Sequence, residues 1–409
     1  MFCAMGLSTC PSLNLLFQEG LLCWPLLPFK FLTLLLAFPP PSTRDYPSRL
    51  CIKYLPSRLF RHLRVLRAVH GVFMCAPVIR FFICSCLGKG DHIERLPCPS
   101  ISKVFANKLH PVSRTQGNLT NQEDVNKACE GADCVWHVAA LVGPFHAKEA
   151  YMAVNYQGSL NVLEACRKYA VGKLIMSSSP STRFDGSDID GLKEDDLPTP
   201  KKYLQLYAES KAMGEKAILE ACSDDLFTVA ISPHQIYGPR DHLFLPSLLE
   251  AAGKGQLRVF GNGKNKVSFT YLDNYCHGLI LGYDALYKGS PALENFYIVT
   301  DGGWQYFWRV IDSAGMAMGF QSLFSKFKLP ALLMVGVGYV CGAIGWAIGR
   351  KLRVNPFTVK MLIIHRWFDI SAAERDLKYK PIVTFEEGFA KTLTWLKEDW
   401  LPRFKAKHG

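Results

Sequence analysis

The chain has 409 residues, a net charge of +12 and 49% hydrophobic residues, with a mean hydropathy of +0.07. That length holds one large domain or two, and the hydrophobic share directs attention to membrane-facing segments. The charge implies no nucleic-acid partner, because residues 1–111 carry 13 Lys/Arg against 4 Asp/Glu and the rest is near balance. Fourteen cysteines, eight of them before residue 99 and none in a C-x-x-C pair, read as reduced thiols of an intracellular protein. Cys84, Cys86, His92 and Cys98 match no zinc spacing, so no metal is expected.

Residues 1–111 form an atypical N-terminal region that holds 12 of the 24 prolines and is rich in Cys, Leu and Arg. Stops such as FPPPS (38–42) interrupt any helical or strand period. LLCWPLLPFKFLTLLLAF (21–38) has the apolarity of an anchor, weakened by Pro25, Pro28 and Lys30. The Arg-rich, acid-poor character suits a targeting peptide, although the stretch is long for one. The abrupt change of composition near residue 112 favours a third reading, in which this stretch is an out-of-frame or intron-derived translation preceding the native sequence.

From residue 112 strands and helices alternate. CVWHVAA (134–140) is an uncharged run suited to a buried parallel strand, and a helix follows over 151–168. KLIMSSS (173–179) is a strand ending in serines, YLQLYAESKAMGEKAILEA (203–221) a helix, and FTVAIS (227–232) another strand. The alternation predicts a Rossmann-like α/β fold, a doubly wound parallel sheet, with residues 112–300 as catalytic domain and 301–409 as a smaller substrate- and membrane-associated part. Ligands bind beyond the carboxyl ends of such strands, so His137–Ala140, Ser177–Ser179 and Pro233–Gly238 become candidates for one site.

Within 203–221, Tyr207 and Lys211 lie one turn apart on one helical face. An ammonium beside a phenol favours phenolate, which would make Tyr207 a general base or acid near neutral pH. Tyr169 and Lys173 share the spacing, but Gly172 and a following strand-like run separate their faces. An ordinary exposed Tyr–Lys pair is the plain alternative for Tyr207 and Lys211.

Leu329–Ile348 is 20 residues without a charge, about 30 Å as a helix. Gly338, Gly342, Gly345 and Gly349 form a small-residue stripe able to pack on another helix. Lys326 and Lys328 before it and Arg350, Lys351 and Arg353 after it leave orientation open. The segment reads as a re-entrant or interfacial insertion, with a Gly-rich buried helix as the alternative.

The SSS strand end, Tyr207 with Lys211, and SPHQIYGPRD (232–241) after the next strand together resemble an extended short-chain dehydrogenase/reductase. GNLTNQEDVNKACEGADCVWHVAA (117–140) and VNYQGSLNVLEAC (154–166) match that superfamily's middle segments in order. SSSPSTRFDG (177–186), PSLLEAAGKGQLRVFGNGKNKVSFTYLDNYCHG (246–278) and FDISAAERDLKYKPIVTFEEGFAKTLTWLKE (368–398) resemble the 3β-hydroxysteroid dehydrogenase family, above all its sterol-4α-carboxylate 3-dehydrogenase branch. The resemblance covers residues 112–400.

It implies oxidation of a sterol 3β-hydroxyl with NAD, NADP remaining open, and loss of a 4α-carboxylate. Tyr207 would take the proton, Lys211 would assist it and bond the nicotinamide ribose, Ser179 would hold the oxygen, and Asn155 would stand beside the active site. Ser179 is preferred to Ser177 and Ser178 by its position before FDG (184–186), and alternation then turns Ser178 away. Asn118, His137, Ala139, Ala140, His234 and Ile236 would line the cofactor, Asn118 standing where the family usually has an acidic residue. The resemblance further implies a sterol drawn from the bilayer through 329–348, an endoplasmic reticulum membrane location with the catalytic domain cytosolic, and a homodimer. One departure is plain: residues 1–111 hold only Gly6, Gly20, Gly71, Gly88 and Gly90, with no three-glycine phosphate-binding turn. Rival readings are a 3β-hydroxysteroid dehydrogenase/Δ5-4 isomerase, another extended reductase, or a catalytically silent membrane-associated homologue lacking the cofactor loop.

Overall fold

A computed structural model describes residues 117–143, 146–349, 352 and 354–408. The expectations for residues 1–111, and the flanking charges Arg350, Lys351 and Arg353, lie outside the described residues. The first helix, α1 (Gln122–Cys129), starts where the Asn121 side chain accepts the Glu123 amide at 2.9 Å, with Glu123 and Asp124 at its positive end. Strand β1 (Cys134–His137) leads to a continuous helical run: Lys148–Tyr151, a π-helical stretch Met152–Gln157, and α2 (Gly158–Lys168). Then come β2 (Lys173–Ser177), β3 (Ile189–Leu192), α3 (Leu206–Leu219), β4 (Phe227–Pro233), β5 (Ile236–Tyr237) and α4 (Leu245–Gly253). Next are β6 (Lys266–Val267), β7 (Thr270–Tyr271), α5 (Leu272–Asp284), β8 (Phe296–Val299), β9 (Gln305–Tyr306) and α6 (Phe307–Ala317). The chain closes with α7 (Ala331–Ala347), α8 (Pro356–Met361), β10 (Arg366–Phe368), α9 (Ser371–Asp376), α10 (Phe385–Trp395) and α11 (Leu401–His408).

Strands β1, β2, β4 and β8 pair in that order, all parallel, with Cys134 opposite Lys173, Ser177 opposite Ile231, and Pro233 opposite Val299. Helices cover such a sheet, so Val135, Leu174, Ile175, Val229, Ile231 and Ile298 are fully buried and the strands carry almost no charge. A second sheet, β3–β10–β6–β9, stitches segments far apart in the chain, and its core gathers Phe269, Trp308 and Leu249 beside Tyr237. Helix α3 approaches the π-helical stretch so closely that a Cβ at Gly214 would stand 2.5 Å from the Asn155 carbonyl oxygen. Only glycine fits there, and the contact sets the height of α3 against β2.

Helix α7 has 17 residues, and no described helix is long and apolar enough to cross a membrane. Its glycine stripe packs against the chain's own Asn355–Pro356, with a Cβ at Gly338 lying 3.2 Å from the Asn355 carbonyl carbon and one at Gly342 3.3 Å from Pro356 Cδ. The close approach that the stripe permits is therefore intramolecular. Gly349 ends outside it, past the helix with φ +64° and nothing near. Much of the rest of the helix surface is apolar and open, with Leu332 85% exposed on the side away from the stripe and Trp346 86% exposed at its edge.

Candidate functional site

The three serines at the end of β2 take three directions. Ser177 Oγ accepts the Tyr275 hydroxyl at 2.5 Å, while its carbonyl accepts Lys211 Nζ at 2.6 Å. Ser178 donates to the Glu215 carboxylate. Ser179 caps the 3₁₀ turn Pro180–Arg183, receives a hydrogen bond from Ser181 Oγ at 2.9 Å, and lies close enough to the Tyr207 phenol to favour its phenolate.

Helix α3 carries Tyr207, Lys211 and Glu215 at successive turns of one face. Burial pushes the Tyr207 phenol up to about 12, against the pull of the Ser179 side chain, with Tyr151 adding to the rise. Burial pushes Lys211, only 2% exposed, down to about 8, and the Glu215 charge opposes that fall. The sequence predicts the opposite direction for Tyr207. Desolvation wins because the Lys211 ammonium is turned onto the Ser177 carbonyl, and burial penalises the phenolate.

Asn155, fully buried in the π-helical stretch, clamps the chain leaving β1. Its Oδ1 accepts the Leu141 amide at 2.7 Å and its Nδ2 donates to the Leu141 carbonyl and to Ser210 Oγ, both at 3.1 Å. One amide thus ties the end of β1 to the helix that holds Tyr207. Ser159 Oγ donates to the Asn155 carbonyl at 2.7 Å, so the 2.9 Å contact between His137 Nε2 and Ser159 Oγ must be donated by His137. The remaining His137 Nδ1 is buried without a partner, and burial followed by the Lys211 charge lowers the ring to about 3. His234, at the end of β4, donates from Nδ1 to the Ser268 carbonyl at 2.8 Å and is lowered to about 3 by burial and Arg366.

Ser179, Tyr207, Lys211, Asn155 and His137 therefore form one linked set. Ala139 and Ala140 are buried on the segment beyond β1, while His234 and the half-buried Ile236 flank the end of β4. Asn118 stays in its own turn, its Oδ1 accepting the Thr120 amide at 3.0 Å and its amide donating to Asp124 at 2.7 Å. Sequence reasoning missed Tyr151, whose ring lies edge-on 6.4 Å from Tyr207 and whose hydroxyl bonds the Gly143 carbonyl. It also missed Tyr275 and the 2.6 Å Arg183–Glu215 ion pair. Spacing held a signal for two of them: Tyr151 precedes Asn155, and Glu215 follows Lys211, by one helical turn.

A cavity of about 240 Å³ opens at Tyr207, between Ser181, Phe184, Leu204, Gln205 and Phe357. Leu204, Gln205 and Phe357 also line a groove of about 880 Å³ between α7 and the 355–364 segment. For a dinucleotide, the nicotinamide end fits this donor set. Lys211 retains N–H donors beyond its bond to Ser177, small side chains stand at Ala139 and Ala140, and Asn155 fixes the backbone at Leu141. The described residues contain no cluster of three His, Cys, Asp or Glu able to hold a metal.

The model of the 3-beta hydroxysteroid dehydrogenase/isomerase family matches residues 100–323. A 3beta-hydroxysteroid-dehydrogenase/decarboxylase (isoform 1) of Arabidopsis thaliana is 33% identical over 292 residues, covering 69% of this chain and 66% of that one. The chain thus spans about two thirds of that relative's length. The Schizosaccharomyces pombe sterol-4-alpha-carboxylate 3-dehydrogenase, decarboxylating, is 32% identical over 289 residues, covering 68% and 83% respectively. Among solved structures, the Streptomyces venezuelae dTDP-glucose 4,6-dehydratase DesIV with NAD bound superposes with a TM-score of 0.53 at 19% identity, covering 70% of this chain and 81% of that one. At that identity the likeness establishes the extended Rossmann-like fold.

Proposed function

Because the chain belongs to the 3-beta hydroxysteroid dehydrogenase/isomerase family, we propose that it oxidises the 3β-hydroxyl of a sterol 4α-carboxylate with NAD and releases the carboxylate as carbon dioxide. The observation that carries this reading is Tyr207 lining a cavity beside Ser181 that shares Leu204, Gln205 and Phe357 with a largely apolar groove of about 880 Å³. Such a groove is of the size that takes a small-molecule ligand, and a rigid apolar body with one reacting hydroxyl suits it.

Lys211 and Tyr207 would hold the nicotinamide ribose, with His137, Ala139, Ala140, His234 and Ile236 along the rest of the cofactor and Asn118 toward the adenine. When bound, the dinucleotide supplies the acceptor for the C3 hydride. Tyr207 takes the proton of the 3β-hydroxyl, and Ser179 donates to the oxygen as it becomes a carbonyl. The new ketone is β to the carboxylate, so the C4–carboxylate bond breaks with its electron pair delocalised onto the ketone oxygen. There Tyr207, now carrying the proton, and Ser179 both donate hydrogen bonds. The enolate oxygen takes the proton that Tyr207 carries, C4 is protonated from water as the enol gives up its O–H proton, and the sequence closes without a net change in protons. Asn155 acts through the backbone, fixing Leu141 against the helix that carries Tyr207.

The same reading seats the open apolar face of α7 in a lipid surface, that of the endoplasmic reticulum with the catalytic part on the cytosolic side, within sterol biosynthesis. Phe327, 75% exposed, and the neighbouring Lys328 suit the headgroup boundary beside that face. The test is turnover by the full-length chain with NAD and a 4α-carboxysterol, read as a 4-decarboxylated 3-ketosterol and released carbon dioxide. Tyr207→Phe should lower that rate about 10²–10⁴-fold. An unchanged rate would defeat the mechanism, Δ5-4 isomerisation as the main reaction would favour the isomerase reading, and no NAD-dependent turnover at all would favour a silent homologue.

A further inference from the structure

The groove and the Tyr207 cavity share three lining residues, Leu204, Gln205 and Phe357, so only these side chains stand between them. The groove has two walls. One is the inner side of α7 at Val335 and Gly342, and the other is the 355–364 segment with Phe357, Ile363 and Ile364. Tyr339 and Trp346 line the groove and are also 66% and 86% exposed, so the outer rim of the groove is continuous with the open apolar face of α7. Lys360 stands exposed on the opposite wall and makes no ion pair among the described residues, although the Asp185 carboxylate lines the same groove. An apolar channel that is open toward an apolar surface, carries a cation on its wall, and ends at the proton-transfer residue matches one occupant. That occupant is an amphiphile with a rigid hydrocarbon body and a carboxylate.

We propose that this groove is the passage by which the sterol acid moves laterally from the lipid leaflet to Tyr207, with α7 as its outer wall and Leu204 and Phe357 at its neck. The inference rests on the sterol reading of the site and adds the route, the wall and the neck. Lys360 meets the carboxylate as the ring system slides in, and the substrate need never cross bulk water. The glycine stripe serves this arrangement, because the close packing of Gly338 on Asn355 sets the two walls apart by backbone contact rather than by side chains that would fill the space.

The experiment uses the full-length chain on vesicles of phosphatidylcholine and phosphatidylserine containing a diazirine-bearing sterol acid, followed by photolysis and peptide mass spectrometry. The expected result is label on both walls, in peptides spanning 335–346 and 355–364, that excess unlabelled sterol acid competes away. Val335→Trp should reduce that label about tenfold, the loss expected when a bulky ring occupies the space a ligand needs. Leu332→Glu, on the lipid-facing side, should lower the ratio of vesicle-delivered to cyclodextrin-delivered labelling. Label confined to the outer face around Leu332 and Leu333, or undiminished wall label in the folded Val335→Trp protein, would overturn the passage. Photolabelling needs no turnover, so a failed oxidation assay counts against the catalytic reading alone.

Discussion

Tyr207 and Lys211 titrate in an order that fixes the shape of the pH–rate profile. The base form requires Tyr207 as phenolate beside Lys211 as ammonium, yet Tyr207 is raised to about 12 and Lys211 lowered to about 8. Below pH 8 lysine stays charged and the phenolate fraction grows tenfold per unit, so log kcat/KM for oxidation rises with unit slope. Above 8 each tenfold gain in phenolate is matched by a tenfold loss of ammonium, and the profile is level. The assay is kcat/KM from about pH 6 to 10, which reports the groups of the free enzyme. In Lys211→Met, at a lower absolute rate, the break near 8 should vanish and the rise continue. A level profile between 6 and 8 in the parent, or a break retained in the variant, would refute the assignment of base and cation.

Four further outcomes follow from the contacts around the site and from the exposure of α7. Gly214→Ala should destabilise by about 1–3 kcal/mol despite alanine's better helix propensity, because its Cβ meets the Asn155 carbonyl, and a lower Tm would register it. Glu215→Ala strips Arg183 and Ser178 of their acceptor at a nearly buried site and should cost about 1–3 kcal/mol in urea unfolding, the partial exposure of Arg183 keeping the loss below that of a fully buried pair. Glu215→Gln, which keeps the shape and one acceptor oxygen for Arg183 and removes the charge, should instead move the profile's break to lower pH, since the Glu215 charge holds Lys211 up. Trp346→Glu places a charge where α7 is most exposed and should weaken flotation with anionic vesicles, with unchanged flotation counting against lipid contact at that face.

The central sheet was legible because its strands are short apolar runs with little charge, a pattern that burial on both faces imposes. The predicted strand 173–179 ends earlier, at Ser177, because Ser179 turns to cap the following 3₁₀ turn. The second sheet was not legible: β6 and β9 are two residues each and exist through partners about 40 to 100 positions away, which no local period encodes. Of the site, Tyr207 and Lys211 could be picked from helix spacing, but the direction of the Tyr207 shift could not. It depends on where the Lys211 ammonium points and on how much water the fold removes. The partner of the glycine stripe was hidden for the same reason, since a sequence shows a smooth face but not what lies against it.

The π-helical stretch Met152–Gln157 bears on how this family of folds can change. A π turn carries one residue more than the α turn it interrupts, and so advances the phase of everything after it by about 100°. Loss of a single residue from this stretch would let the run relax into regular α-helix without moving α2 from its groove. Asn155 would rotate away from Leu141, and the tie between the end of β1 and the helix bearing Tyr207 would be undone while the sheet stayed whole. The inserted residue works as a phase setting: one deletion separates a clamped site from an unclamped one on the same scaffold.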